Sequence, residues 1–370
     1  MKNRHAILLI LLPVCVFLWA FITYPKAWGT GAVNKADDAA EKGLFDSDEI
    51  LQVTLKGNIR DLLNDRTDKA TLFPVELSYK NEDSSDVFIP IMAKTRGHFR
   101  RMRGNCTYPP ILLQFEKEGA HQQTIFREQQ KLKLVMPCRG DQYVVREWLA
   151  YRMYNLVTPF SFRARLVKVK LEDERNKRSP EPFYGILLEE ESQMAKRNNG
   201  AVVEDKLQPQ QIEQEAFLKM AVFQYLIGNT DWSVQYLQNI KLVAVDEGSP
   251  IIAVPYDFDH SGLVNAPYAK PAEELLMSST RERRYRGYCV QDLNVFNDVL
   301  AEYRRLKDDL YGLFTEEDLM DQKSVKSTLQ WLDGFYATIN NPKAWQKDLA
   351  YPCDKSGTGN VIIRGLKEEK

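Results

Sequence analysis

The stretch from Gly228 to Gly262 carries the strictest structural pattern in this chain, a helix end followed by two short apolar strands. Apolar residues at helical spacing predict a buried helix over residues 210–227, and Gly228 supplies its C-cap. Asn239 begins the first predicted strand, and the second runs from Ile251 to Val254. We therefore predict a β-hairpin that follows directly on a buried helix.

Polar side chains stand where these elements end. Asp231 follows the helix, Asn239 precedes the first strand, and Asp257 and Asp259 follow the second. A hairpin brings these positions to one end, where carboxylate and amide oxygens can bind Mg²⁺ and position phosphates. This end of the hairpin is the predicted active centre of a kinase-like phosphotransferase.

The composition is that of a globular protein large enough for two lobes around one cleft, with 370 residues of which 44% are hydrophobic and 27% charged. Basic and acidic residues number 50 and 51, so the formal net charge is -1. No overall positive field favours nucleic acid, and we expect no nucleic-acid binding.

The N-terminal residues 1–32 resemble an export segment. Lys2 and Arg4 precede an apolar run from Ala6 to Ile22, which is typical of a cleaved signal peptide or of a short membrane anchor. Both alternatives predict an exported body, in the periplasm, at the cell surface or anchored to the membrane through residues 6–22. Small and charged residues over 33–48 predict a linker.

Four cysteines follow the export segment, namely Cys106, Cys138, Cys289 and Cys353. An even number of cysteines in an exported chain favours disulfides, and buried free thiols are the alternative. Cys106 and Cys138 flank predicted strands of the same lobe and are the first pair we predict. No CxxC sequence occurs, so a zinc site is not expected.

Alternating apolar residues predict a β-rich N-lobe over residues 49–190, and helical spacing predicts a helical C-lobe over 191–353. Residues 51–63 mix apolar and basic side chains without a firm period, so we assign no element there. The tail 354–370 is predicted to be loose. The fold class is therefore α+β, with strands at 73–79, 87–94, 111–115, 131–136, 162–171 and 183–188 and later helices at 210–227, 290–314 and 316–339.

A basic turn over residues 93–110 contains Gly97 and Gly104 among several arginines, including Arg96 and Arg103. Glycine lets the backbone approach a phosphate, and guanidinium groups bind phosphate through paired hydrogen bonds. The turn can therefore cover a nucleotide. The alternative is a solvated basic hairpin without a ligand.

A predicted strand carries two lysines, and the predicted helix after it carries a glutamate, the order found in kinases. Lys131 and Lys133 share one face of the predicted strand, and Glu147 lies in the first turns of the predicted helix 144–156. Kinases use such a glutamate to orient a phosphate-binding lysine. Exposed Lys–Glu pairs without function are also common.

A second basic cluster consists of Arg281, Arg283, Arg284 and Arg286. It can meet an acidic substrate, or it can be a face that is solvated or paired within the protein. The sequence leaves both alternatives open.

The chain resembles the CotH kinase family, whose fold is protein-kinase-like and two-lobed, over roughly residues 90–262. No single motif decides this resemblance; the order and spacing of the motifs do. They are Arg103-Gly-Asn105, Lys131-Leu-Lys-Leu134, Val145-Arg-Glu-Trp-Leu149, Phe183 to Glu189, Gly228-Asn-Thr-Asp231 with Asn239, and Pro255-Tyr-Asp-Phe-Asp259.

The resemblance implies ATP and Mg²⁺ (or Mn²⁺) as cofactors and a hydroxyl on an unknown protein as the acceptor. Asp231 would orient or deprotonate that hydroxyl, and Asn239 and Asp257 would hold the metal with support from Asp259. The implied nucleotide-binding residues are Arg96, Gly97, Arg103, Gly104, Lys131, Lys133, Glu147 and, at the adenine near residues 187–190, Glu189.

Two other functions stay open. The sequence Asp257-Phe-Asp259-His-Ser261 imitates the start of an aspartyl-phosphate phosphatase, in which the first aspartate is the nucleophile. A non-catalytic, kinase-like surface or periplasmic binding protein is the other alternative. The sequence also leaves open whether a phosphoryl or a nucleotidyl group is transferred.

Overall fold

The computed structural model describes residues 42–175, 180–246 and 248–351. The predicted export segment 1–32, with its apolar run, and the tail 354–370 lie outside the described residues. Within the described ranges, no helix has the length and apolar character needed to span a membrane.

Seven strands close into a barrel. Its neighbours follow the order β1-β2-β3-β4-β5-β7-β6, and β1 returns to pair with β6. That closing pair is parallel, whereas the other pairs are antiparallel. The strands are β1 (Leu51–Gly57), β2 (Phe73–Lys80), β3 (Asp86–Thr95), β4 (Ile111–Gln114), β5 (Lys131–Val135), β6 (Ala164–Asp173) and β7 (Phe183–Leu188).

The barrel closes because alternate residues of its strands are apolar and face inward. In β1, Leu51, Val53 and Leu55 are buried and Gln52 and Lys56 are exposed. Side chains from the other strands and from Phe126 complete this core. Its interior is therefore filled with side chains.

A second, antiparallel sheet has the order β10-β9-β8, with β8 (Ala201–Val203), β9 (Ile240–Ala244) and β10 (Ile252–Pro255). The β9–β10 hairpin matches the sequence prediction in type and position. The helices are α1 (Ile59–Asn64), α2 (Asp141–Val157), α3 (Glu191–Arg197), α4 (Gln214–Leu226), α5 (Phe296–Arg305), α6 (Lys307–Thr315), α7 (Gln322–Ile339) and α8 (Pro342–Asp348).

Helix α4 is a central buried helix. Its Glu213 N-cap accepts hydrogen bonds from the amides of Glu215 and Ala216, and Gly228 follows its C-terminal end with a φ of 62°. The helix packs against β10 and α5, while α2 packs against β6, β7 and α6. Helix α4 thereby contacts the β9–β10 hairpin directly.

The predicted two-lobed, protein-kinase-like α+β architecture is wrong. The strands expected to form the β-rich N-lobe of a kinase-like fold close into a barrel, and the hairpin belongs to a separate three-stranded sheet. Closure depends on β1, which lies in residues 51–63, where the sequence assigned no element. The single helix predicted over 290–314 is also two helices, α5 and α6, which meet at Leu306.

The predicted disulfide between Cys106 and Cys138 is confirmed. It ties the basic turn after β3 to the segment that joins β5 to α2. Two hydrogen bonds reinforce the link, from the Thr107 amide to the Cys138 carbonyl (3.1 Å) and from Arg139 to the Gly104 carbonyl (2.8 Å). A disulfide is compatible with an extracellular location.

Candidate active site

The open end of the β9–β10 hairpin brings Asn239 and Asp257 to the same place. Asn239 immediately precedes β9, Tyr256 follows β10, and the Tyr256 amide donates to the Asn239 carbonyl at 3.0 Å. Both Asn239 and Asp257 have positive φ, 51° and 60°. The Asp257 amide donates to the Tyr151 hydroxyl of α2 at 2.8 Å, which fixes the chain as it leaves the hairpin.

A buried aromatic side chain holds the two aspartates that follow the hairpin. Phe258 is fully buried, and its ring lies 4.8 Å from that of Tyr151 and 5.6 Å from that of Phe223 in α4. Burial of such a ring stabilises the fold by about 3–5 kcal/mol relative to alanine. Asp257 and Asp259 are therefore positioned by the core.

Asp231 and Asn239 are joined directly. The Asn239 side-chain amide donates to the Asp231 carbonyl at 2.8 Å and to its carboxylate at 3.1 Å, and Gln238 donates to the other carboxylate oxygen. The Asp231 amide in turn donates to the side chain of Asn229 at 3.0 Å. Burial, with Asp259 and Asp257 nearby, raises the pKa of Asp231 despite the opposing charges of His260 and Arg286.

Arg100 lies at the centre of the acidic groups. It comes from the short 3₁₀ helix in the basic turn, and its guanidinium is buried. Its nitrogens lie 2.6 Å from Asp259, 2.9 Å from Glu147 and 3.5 Å from Asp257. Burial alone would lower the pKa of Arg100, but these carboxylates raise it well above its ordinary value.

Glu147 is almost completely buried in α2, and only one of its carboxylate oxygens is satisfied. Oε2 accepts from Arg100, whereas the buried Oε1 has no hydrogen-bond partner. Burial raises the pKa of Glu147 to about 8, because the attraction of Arg100 does not offset it and Asp259 and Asp257 add to it. Three carboxyl groups, those of Glu147, Asp257 and Asp259, therefore surround Arg100, which can neutralise only one negative charge.

Asp259 differs from the other carboxylates because it is fully engaged. It accepts from Arg100 at 2.8 Å and from the Tyr268 hydroxyl at 2.9 Å. Burial would raise the pKa of Asp259, but Arg100, His260 and these hydrogen bonds outweigh burial and lower it. Asp259 is thus a charged anchor for Arg100.

Asp257 faces the opening of the site, with 43% of its side chain exposed. Surrounding protein and the neighbouring Asp259 nevertheless raise its pKa, against the attraction of Arg100, Arg96 and His260. Its Oδ1 atom lies 3.5 Å from the Arg100 guanidinium, which is longer than the usual hydrogen-bond distance of about 2.7–3.2 Å. Of the three carboxylates around Arg100, Asp257 is therefore the one available to a ligand.

Cationic side chains also lie near Asp257. Lys133 in β5 is 14% exposed, lies 5.0 Å from the Tyr256 ring and is 3.9 Å from Glu191, which also binds Lys241 of β9 at 2.8 Å. Burial, together with Arg96, lowers the pKa of Lys133 to about 8. Asp257 also acts on Lys133 through its charge. The predicted orientation of this lysine by Glu147 is replaced by a pair with Glu191.

Of the other predicted nucleotide-binding residues, some lie near Asp257 and others are exposed elsewhere. Arg96 is close enough to act on the charges of Lys133 and Asp257. Gly97 and Gly104 have positive φ, 83° and 90°, and little or nothing surrounds the position a Cβ would take. Arg103 donates instead to the carbonyl at the end of α1 and is exposed, as is Lys131.

Glu189 is fully buried and its carboxylate is already satisfied. It accepts from the backbone amide and side chain of Arg163 and from two nitrogens of Arg197. The side chain therefore ties β6 and β7 to α3, and only the backbone of this segment remains for an adenine.

The metal site expected at Asn239, Asp257 and Asp259 stays a prediction. Among the described residues, no group of three or more His, Cys, Asp or Glu side chains is arranged to hold one. Mg²⁺, however, usually binds one or two carboxylates together with substrate phosphates. Asp257 is accessible to such an ion, since 43% of its side chain is exposed.

Arg100, Tyr151, Tyr268, Glu191 and Lys241 contribute to the site and were not predicted. Arg100 is one of several arginines in the basic turn, and nothing in the sequence distinguishes it from Arg96 or Arg103. The one sequence-based indication of a role for Arg100 was the prediction that this basic turn covers the nucleotide phosphates.

No protein-family model matches the chain, and no curated protein matches its sequence. In structure the chain is similar to a Helicobacter pylori proinflammatory kinase, CtkA, with a TM-score of 0.39 and 11% identity. The match covers 67% of this chain and 92% of that one. A similarity this weak carries no argument about function, and the resemblance to the CotH family is not confirmed by it.

Proposed function

We propose that this protein is an exported, ATP- and Mg²⁺-dependent (or Mn²⁺-dependent) phosphotransferase that phosphorylates a protein hydroxyl. The observation that carries the proposal is the grouping of Asp231, Asn239 and Asp257 at the open end of one hairpin, with Lys133 close enough to act on the charge of Asp257. The disulfide and the N-terminal sequence support export.

The charges support phosphoryl transfer because cationic side chains lie near the acidic ones. Asp257 and Asn239 would hold a divalent cation, which would neutralise charge on the phosphates. Lys133 and Arg96 would neutralise the remaining phosphate charge. Phosphoryl transfer requires mainly such positioning and charge neutralisation.

Asp231 is suited to act as the general base. Its raised pKa makes it a better proton acceptor than an ordinary aspartate, and its amide hydrogen bonds with Asn239 and Gln238 fix its orientation. It would take the proton of the acceptor hydroxyl as that oxygen bonds to the γ-phosphorus and ADP leaves.

The phosphatase alternative is less well supported. It requires Asp259 to act as acid and base beside a nucleophilic Asp257. Asp259 is instead held by Arg100 and Tyr268, and its lowered pKa makes it a poor proton donor.

The test is incubation with ATP labelled in turn at the γ and α phosphates, with Mg²⁺ or Mn²⁺. We expect γ label to be incorporated and Asp257→Asn to abolish incorporation, because the metal loses its carboxylate. Asp231→Asn should slow transfer by about 10²–10⁴-fold, the usual contribution of a general base. Asp246→Asn is the matched control, since Asp246 is an exposed aspartate in the turn of the same hairpin.

Nucleotide binding is measured separately by thermal unfolding. Saturation a hundredfold above the dissociation constant should stabilise the wild-type protein by about 2.7 kcal/mol. Incorporation of α label would identify a nucleotidyl transferase. No incorporation and no stabilisation would refute the enzyme and favour a non-catalytic binding protein.

A further inference from the structure

A cavity of about 360 Å³ lies beside the second basic cluster, apart from the candidate active site. Its size falls within the range of small-molecule sites, about 300–1,000 Å³. The residues 283–286 form one wall and the end of α8 forms another. The lining includes Tyr225, Arg283, Arg284, Tyr285, Arg286 and Lys347.

The charge of this cavity is strongly positive. Arg283, Arg284, Arg286 and Lys347 line it, against a single carboxylate from Asp348. In the part of the chain that the structure describes, none of these four cations forms a salt bridge with a carboxylate. Asp348 accepts from the Tyr225 hydroxyl at 2.9 Å. The cations therefore have no carboxylate in direct contact, although Asp231 acts on Arg286 through its charge.

Two of the cations are held rigidly by backbone carbonyls. Arg283 donates to Leu226 at 3.1 Å and to Trp331 at 2.8 Å, and it stacks 3.8 Å from the Trp331 ring. Arg286 donates to the carbonyls of Thr230 and Trp232. Burial lowers the pKa of both arginines to about 10, so both stay charged at neutral pH.

Tyr285 lines the same cavity, but its hydroxyl oxygen is buried and has almost no accessible surface. The donors that the cavity offers to a ligand are therefore its guanidinium and ammonium groups. Such cationic donors match the acceptor oxygens of a phosphate.

We propose that the cavity at Arg283–Arg286 binds an anion of the phosphate class. The ligand is a phosphomonoester, either on a protein segment or on a small molecule. Arg286 also binds the carbonyls on both sides of Asp231, so the bound anion and the Asp231 loop share one guanidinium. The proposal does not depend on the proposed enzymatic activity.

The test is calorimetric titration of the full chain with inorganic phosphate, with a phosphoserine peptide and with its unphosphorylated form, at constant ionic strength. The test variant is Arg284→Ala with Lys347→Ala, because both side chains are exposed and neither fixes a backbone carbonyl. The control is Lys323→Ala with Lys326→Ala, which removes the same charge from exposed positions on α7.

We expect binding of the phosphorylated ligands to weaken at least tenfold in the test variant, equivalent to about 1.4 kcal/mol. The control should retain wild-type affinity, and so should Lys133→Met, which alters the candidate active site. Tighter binding of the phosphopeptide than of phosphate would identify a protein segment as the source, and equal binding a small molecule.

Three results would overturn the proposal: unchanged affinity in the test variant, an equal loss in the α7 control, or a loss confined to Lys133→Met. The single variant Lys347→Glu provides a second test that leaves the arginines intact. It should weaken phosphate binding as well, and an unchanged affinity would count equally against the proposal.

Discussion

Arg100 is the residue on which the geometry of the candidate site depends most. Its guanidinium links Glu147 of α2 with Asp257 and Asp259 after β10, so three parts of the chain meet at one side chain. A buried ion pair contributes little net stability when intact, because desolvation of its charges offsets their attraction. Removal of one member, however, leaves the others buried without compensation.

Substitution Arg100→Ala should therefore destabilise the fold by about 3–5 kcal/mol. Arg103→Ala is the matched control from the same turn, and it should change stability by no more than about 0.5 kcal/mol because Arg103 is exposed. Urea unfolding measures both. Equal effects of the two substitutions would contradict the role assigned to Arg100.

Lys133 gives a prediction about pH. Its lowered pKa, about 8, means that it is charged at neutral pH and loses its proton as the pH rises through that value. We expect the affinity for ATP with Mg²⁺ to fall as the pH rises past about 8, since a cation is lost from the phosphate side. Lys133→Arg should keep its affinity there, because arginine stays protonated.

The dissociation constant measured by titration from neutral to alkaline pH checks this prediction. The same alkaline decline in both proteins would show that a group other than Lys133 is responsible.

At the scale of elements, much of the chain could be predicted because local patterns determine it. Strand β7 lies at residues 183–188 as predicted, and α4 lies within the predicted helix 210–227, since both depend on short-range periodicity. Asn239 and Asp257 could be brought together because a hairpin joins them. The contacts of Arg100 with Glu147 and Asp259 span 47 and 159 residues, and no local pattern encodes them.

The disulfide acts at this scale because it connects the turn that carries Arg100 to the segment before α2. Replacement of both Cys106 and Cys138 by serine should lower stability by roughly 2–4 kcal/mol, since a loop with a separation of 32 residues is no longer closed in the unfolded chain. Reduction of the wild-type protein should lower stability at least as much, because it also opens the disulfide of Cys289. Urea unfolding with and without reductant measures both, and an unchanged midpoint would contradict the prediction.

At the scale of the whole molecule, barrel closure was beyond what the sequence could predict. β1 pairs with β6 in parallel, from Leu51 with Val167 to Gly57 with Asp173. Strand propensity predicts that a segment is a strand but not which strand it pairs with. A parallel pair also needs a long connection, which lacks the short turn sequence that identifies a hairpin. Most of the strands were predicted from the sequence, but their arrangement in a closed barrel was not.

Because the barrel is closed, substitutions on the inner face of β1 should cost much more stability than substitutions on its outer face. Leu55 is fully buried in the barrel, so Leu55→Ala should cost about 2–5 kcal/mol. Gln52→Ala, on the exposed face of the same strand, should change stability by no more than about 0.5 kcal/mol. Urea unfolding distinguishes them, and a small effect of Leu55→Ala would be inconsistent with a closed, filled barrel.

The positive φ angles of Asn239 and Asp257 have an evolutionary consequence. Asparagine and aspartate are the non-glycine residues that adopt this conformation most readily. An exchange of Asp257 for asparagine therefore removes a charge and leaves the backbone of the hairpin undisturbed. One mutational step thus removes the carboxylate that we propose as a cation ligand and leaves an equally well-folded protein, and we expect homologues with either residue to persist side by side.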